Sequence, residues 1–222
     1  MQQLPTIPQP SGQNTPNSIP PQTTIGSARK QPEGWKSVLS TVLVLIAAPV
    51  IALLLINFVF QSYEVDGPSM ETTLSNKDRL IVWKVPRTIA RITDNHYIPA
   101  RGDIIVFVKK GLFDQNGAGD KQLIKRVIGV PGDRVVVRDG IVTVYNAENP
   151  NGLNPDLNPE YASVIKTTNG NVDITVPEGE LFVCGDNRVN SLDSRVFGTI
   201  PSNDVVGKLV ARIFPLNKAE TF

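Results

Sequence analysis

The chain has 222 residues, a net charge of +1, one cysteine (Cys184) and one histidine (His96). The near-neutral charge gives no sign of a nucleic-acid-binding surface, a lone cysteine rules out an intrachain disulfide, and one Cys with one His leaves no Cys/His metal site. A single histidine also restricts any catalytic scheme built on imidazole.

Met1 to Gln31 is rich in Pro, Gln, Asn, Ser and Thr and nearly free of large apolar residues. Such a segment cannot bury a core, so residues 1–36 are expected to be a disordered, cytoplasmic head. Val38–Phe60 is an apolar run without a charge. As a helix at about 1.5 Å per residue it is long enough for the roughly 30 Å hydrocarbon core of a bilayer, so residues 37–62 are expected to form one transmembrane helix. Pro49 sits mid-run, where a membrane helix tolerates it with a kink, and Trp35 takes an interfacial position. The run is longer than a cleaved signal's apolar core, and "FVFQSYEVDG" offers no small-residue cleavage site. Arg29, Lys30 and Lys36 precede the span against Glu33 alone, which puts the N-terminus in the cytoplasm and residues 63–222 on the other side.

Beyond Tyr63 the periodicity is mostly two. "RLIVWKV" from Arg79, "DIIVFVKK" from Asp103, "QLIKRVIGV" from Gln122, "RVVVRDGIVTVY" from Arg134, "NVDITV" and "ELFVCG" around a turn at "PEG", and "KLVARIF" all read as strands. Asp139-Gly140 is a two-residue hairpin signal. No segment carries a helical stripe of three turns. The expected fold class is mainly β, built of antiparallel sheets. "NAENPNGLNPDLNPEYAS" is a long loop, and "GDNRVNSLDSRVFG" concentrates charges and hydroxyls that fit either a hydrogen-bonded network or a polar surface loop.

Strand alternation in "KQLIKRVIGVPGDR" puts Leu123, Lys125 and Val127 on one face and Ile124, Arg126 and Ile128 on the other. Each face carries a cation between apolar neighbours. Desolvation there would lower the pKa of Lys125 and make it a usable base, whereas Arg126 cannot lose its proton. A lysine whose stem covers apolar surface while its amine reaches water fits the same pattern. "VDGPSMETTL" puts Ser69 after the turn Asp66-Gly67-Pro68, where a hydroxyl can be exposed and an N–H free for an oxyanion. It also fits an ordinary loop serine. A Ser-His-Asp triad would have to use His96, which lies in the polar linker "RITDNHYIPARG".

"GPSMETTL", "RGDIIVF", "IKRVIGVPGD" and "GDNRVNSLDSRVFG", in that order after one span, resemble the boxes of the type I signal peptidases. The resemblance covers roughly Ser37 to Phe214. It implies an all-β, membrane-anchored serine endopeptidase that removes signal peptides with a Ser/Lys dyad, without metal or cofactor. Ser69 is then the nucleophile and Lys125 the base. Ser191 orients the lysine amine, Asp193 and Arg195 form a supporting ion pair, and Asp186 is the leading acid of its box. Gly67 and Ser69 form the oxyanion turn. Tyr63, Val65, Met70, Leu74, Val106 and Ile124 correspond to pocket-lining positions, although each fits a core equally well. Partners would be exported preproteins with small residues at −1 and −3, together with membrane lipid, and not nucleic acid. The location implied is a cell (inner) or thylakoid membrane.

Three departures stand out. Thr72 replaces a frequent proline, and Val189 replaces an acid. Gly67 stands where some members carry a serine that completes the oxyanion hole. A single-substrate processing peptidase of the same fold, or a silent membrane-tethered binding module, are the competing readings.

Overall fold

The computed structural model describes residues 34–71, 73–114, 117–159, 165 and 167–222. The Pro/Gln-rich head before Gly34 and Thr72 lie outside them. The chain divides into two compact units, Met1–Val44 and Leu45–Phe222, with the boundary inside the first helix.

Helix α1 spans Gly34–Phe58 and contains Pro49. Its 25 residues give a length of about 37 Å, and it is long and apolar enough to cross a membrane. Strand β1 (Phe60–Glu64) follows almost at once. Residues 60–62, expected within the span, thus belong to a strand, in which Phe60, Ser62 and Glu64 are exposed on one face and Gln61 and Tyr63 half-buried on the other.

The second unit is mainly antiparallel β. After β1 come β2 (Arg79–Trp83), α2 (Val85–Ile92), β3 (Ile104–Asp114), β4 (Gly117–Gly129), β5 (Arg134–Arg138), β6 (Ile141–Tyr145), β7 (Val172–Thr175), β8 (Glu180–Cys184), α3 (Ser194–Phe197), β9 (Ile200–Pro201), β10 (Val205–Phe214) and β11 (Glu220–Thr221). The larger sheet runs β1-β2-β10-β3-β4-β8-β9 with β11 on β10, and the smaller runs β6-β5-β7. The expected mainly β, antiparallel class is what the chain adopts.

Several local expectations hold. Asp139 and Gly140 both take positive φ, as a tight two-residue hairpin requires, and pair Arg138 with Ile141. "PEG" does join β7 to β8, but the chain changes sheets there: β7 pairs with β5, and β8 with β4. Helix α2 is an element that the residue pattern does not predict. Its eight residues make barely two turns, Pro86 sits in its first turn, and "RLIVWKV" therefore ends as a strand at Trp83.

The two sheets bury a cluster of Ile128, Val135, Val137, Val142, Val144, Val176, Phe182 and Cys184. A second cluster holds Ile105, Phe107, Val127, Leu181, Val183, Ile200 and Val205. Full burial of such a side chain stabilises by about 1.5–3 kcal/mol, so β4, which contributes to both clusters, is held rigidly. Its two cations are held with it.

Candidate active site

Lys125 pairs with Ile105 and Arg126 with Ile104 across the β3–β4 ladder. Both cations are buried, at 2% and 6% exposure. The alternation of β4 therefore conceals no solvated face at this point. β4 pairs with β8 only from Arg126 onward, so its Gln122–Lys125 edge is left unpaired by β8. A cleft of about 230 Å³ lies there, lined by Tyr63, Glu64, Val65, Asp66, Ser69, Leu80, Val106, Gln122, Leu123, Ile124 and Lys125.

At its floor Lys125 Nζ lies 2.8 Å from Ser69 Oγ and donates a second hydrogen bond of 2.8 Å to the Ile124 carbonyl. Burial drives the lysine pKa down from 10.5 to about 8, against the opposing pull of Asp193, Cys184 and Asp186. Desolvation outweighs the nearby negative charge because those carboxylates are committed elsewhere. Asp193 accepts from Arg195 Nε at 2.8 Å and Nη2 at 2.7 Å, and from the Gly185 N–H at 3.0 Å. Asp186 receives Arg126 Nε at 2.8 Å and Nη2 at 2.7 Å, and the Thr73 hydroxyl at 2.6 Å.

The turn bearing Ser69 is fixed from the other side. Asn187 donates its N–H to the Ser69 carbonyl and its side-chain amide to the Pro68 carbonyl, each at 3.1 Å. Gly67 has φ +98°, a conformation that strains any residue with a Cβ, and its N–H donates to Asn76 Oδ1 at 3.1 Å. No acceptor among the described residues takes the Ser69 N–H. A Cβ on Gly185 would collide with the Ser69 carbonyl and the Ser191 hydroxyl, so only glycine lets these two segments meet.

Ser69 and Lys125 line the cleft, and Gly67 belongs to the turn that carries Ser69, whereas Asp186, Asp193 and Arg195 lie outside the lining, with Asp186 tied to Thr73 and Arg126 and Asp193 to Arg195 and Gly185. Ser191 is adjacent, but its buried hydroxyl has no hydrogen-bond partner among the described residues, and the lysine amine is held by Ser69 and the Ile124 carbonyl instead. Tyr63, Val65, Val106 and Ile124 line the cleft. Met70 and Leu74 do not. Both are fully buried with Val65, Leu80, Ile104 and Leu209, behind the wall. His96 is elsewhere, with Nδ1 3.3 Å from the Ser202 hydroxyl. Val189 is exposed, and no acid stands at its position.

Two contributions escaped the sequence reading. Arg126, to which the sequence pattern assigns no role, is the partner that ties "IKRVIG" to Asp186. Arg188 pairs with Asp156 at 2.6 Å, and its guanidinium also contacts the Thr168 hydroxyl and donates to the Gly185 carbonyl at 3.1 Å. The long Asn/Pro loop is in this way anchored to the Ser191 loop. Only the density of charge in "GDNRVNSLDSRVFG" hinted at it.

The family model described as signal peptidase, peptidase S26, matches residues 38–214. A probable signal peptidase I-1 of Synechocystis sp. is 37% identical over 190 residues, covering 84% of this chain and 88% of its own. A signal peptidase I of Leptolyngbya laminosa is 33% identical over 210 residues, covering 92% and 91%. One of Bacillus licheniformis is 34% identical over 179 residues, covering 78% and 87%. The chain belongs to the signal peptidase family, peptidase S26. It is a serine peptidase, and its family removes signal peptides from exported preproteins.

Proposed function

We propose that the chain is a membrane-anchored signal peptidase in which Ser69 is the nucleophile and Lys125 the general base. The observation that carries this reading is the 2.8 Å contact between Lys125 Nζ and Ser69 Oγ, made by a buried lysine whose pKa is lowered to about 8. Neutral Lys125 removes the Ser69 proton as Oγ attacks the scissile carbonyl. The uncommitted Ser69 N–H faces the developing oxyanion. The lysine then passes its proton to the leaving amine and activates the water that releases the acyl group. Ser191, whose buried hydroxyl has no partner among the described residues, is assigned to orienting the amine once Ser69 is acylated. The Asp193–Arg195 and Asp186–Arg126 pairs hold the loop and the strand in register.

The apolar wall of Tyr63, Val65, Leu80, Val106 and Ile124 fits small side chains at the substrate's −1 and −3 positions, since a large one would clash. The residues before Gly34 form the cytoplasmic head, α1, which already takes in the expected head residues 34–36, spans the membrane, and the β unit lies on the outer or lumenal side of a cell or thylakoid membrane. The excess of Lys and Arg before the span supports that orientation.

The test is cleavage of a panel of unrelated preproteins by the purified full chain in detergent, followed by N-terminal sequencing of the products. Cleavage of several after small residues supports the reading. Cleavage of one alone would favour a dedicated processing peptidase.

A further inference from the structure

Helix α2 is turned inside out for a water-soluble domain. About 100° per residue puts Val85, Ile89 and Ile92 on one stripe and Arg87 and Arg91 on the opposite side. The two isoleucines of the stripe face outward, while Val85 is half-buried. Ile89 and Ile92 are 55% and 79% exposed, and α2 has no fully buried residue. Arg87 is the half-buried member, with its Nε out of reach of water and without a hydrogen-bond partner among the described residues. Besides Arg91, the titratable groups around it are Tyr63 and Asp204 of the β unit. A helix solvated by water would bury the isoleucines and expose Arg87 as it does Arg91.

The chain itself indicates what covers this stripe. α1 ends at Phe58. One residue later the Val59 carbonyl accepts the Lys84 N–H at 2.8 Å, and Lys84 is the residue from which α2 begins. Phe60 and Trp83 pair directly across the same ribbon and are both exposed. α2 is therefore stapled to the point where α1 ends, and its far end lies about 12 Å along the helix from that staple. A half-exposed tryptophan at such a junction suits the interface between water and lipid.

We propose that α2 is an interfacial foot, with Val85, Ile89 and Ile92 seated in the bilayer surface beside the exit of α1. This goes beyond the anchoring by α1 and rests on that anchoring. The foot fixes the height and rotation of the β unit above the bilayer, whereas a single span would leave the unit free to swing. Its effect should be on substrates presented from the membrane and not on the chemistry.

The test uses the full chain reconstituted in vesicles of phosphatidylcholine and phosphatidylglycerol. Nitroxide labels are placed singly through Ile92→Cys, Val50→Cys and Arg138→Cys, with the buried Cys184 left in place. Collision with oxygen and with a water-soluble nickel chelate is measured for each. The expected result is that the labels at 92 and 50 collide mainly with oxygen and that at 138 mainly with nickel. A label at 92 as open to nickel as that at 138, with 50 in lipid, overturns the foot and leaves the anchor standing. A label at 92 shielded from both reagents means that a protein covers the stripe, and also overturns it. A label at 50 in water overturns the anchor and the foot together. In parallel, the double variant Ile89→Ser, Ile92→Ser should lose several-fold in kcat/KM on a vesicle-embedded preprotein and nothing on a short soluble peptide. Equal rates on both substrates would also contradict the proposal.

Discussion

Asn187 grips the turn that carries Ser69 at two points, with its N–H on the Ser69 carbonyl and its amide on the Pro68 carbonyl, each at 3.1 Å. Only the second grip needs the side chain. Asn187→Ala should keep the fold and let the turn shift. Small displacements of a reacting atom cost heavily, so kcat should fall by about ten- to a hundredfold with KM little changed. Steady-state kinetics on a signal-peptide substrate, with a thermal melt as control, checks this. An unchanged kcat would mean that the backbone contact alone positions Ser69.

Lys125 should be needed for activity and costly to stability. Ser69→Ala and Lys125→Met should each abolish cleavage, and the double variant should be no worse than either, because the pair acts as one unit. Lowering a lysine pKa from 10.5 to about 8 means that the fold holds the ammonium about 3 kcal/mol less well than the unfolded chain does. Below pH 8 that penalty is present in full. Between about pH 8 and 10.5 the unfolded chain keeps a proton that the fold has lost, so stability rises with pH. Lys125→Met should be more stable than wild type at pH 7 by about 1–2 kcal/mol after its lost hydrogen bonds are allowed for, and should lack that rise. Denaturant unfolding at several pH values reads both effects. A destabilised Lys125→Met would show that the amine is a structural group.

Arg126 should matter as much for stability as Lys125 does for rate. It holds Asp186 through two hydrogen bonds in a setting where both are buried. Arg126→Ala leaves that carboxylate with the Thr73 hydroxyl and no cation. Breaking a buried pair in this way costs about 3–5 kcal/mol, which a denaturant midpoint will show. Arg126→Lys should recover only part, because an ammonium cannot reproduce the bidentate fork. Full recovery would mean that charge alone, and not geometry, joins β4 to Asp186.

His96→Ala should leave the rate of the same order as wild type, since His96 meets Ser202 and not the cleft. A loss as large as that of Ser69→Ala would revive the triad.

Much of this was legible in the residues. Period two gave the strands and their antiparallel class, Asp139-Gly140 gave its hairpin, and the alternation of β4 flagged two cations in apolar company. Alternation assigns a residue to a face but does not say what covers that face. For that reason a buried Lys125 and a lysine reaching for water could not be told apart before the β3 and β8 pairings were known. The same limit hid the Arg126–Asp186 and Arg188–Asp156 pairs, which join segments far apart in the chain. Met70 and Leu74 illustrate it in reverse: both adjoin the catalytic turn in sequence, yet they pack behind the cleft. α2 was missed because two turns are too short for its stripe to stand out, and because that stripe faces away from the core.

The pH profile of kcat/KM on a signal-peptide substrate tests the central claim most directly. If Lys125 is a desolvated base, the rate rises along a limb centred near pH 8, the value to which burial brings its pKa, and levels off above it. Leu123→Gln, which wets the cleft beside the amine, should move that limb upward. A wild-type limb still climbing towards 10.5, the ordinary value for lysine, would contradict the account even with the family membership intact.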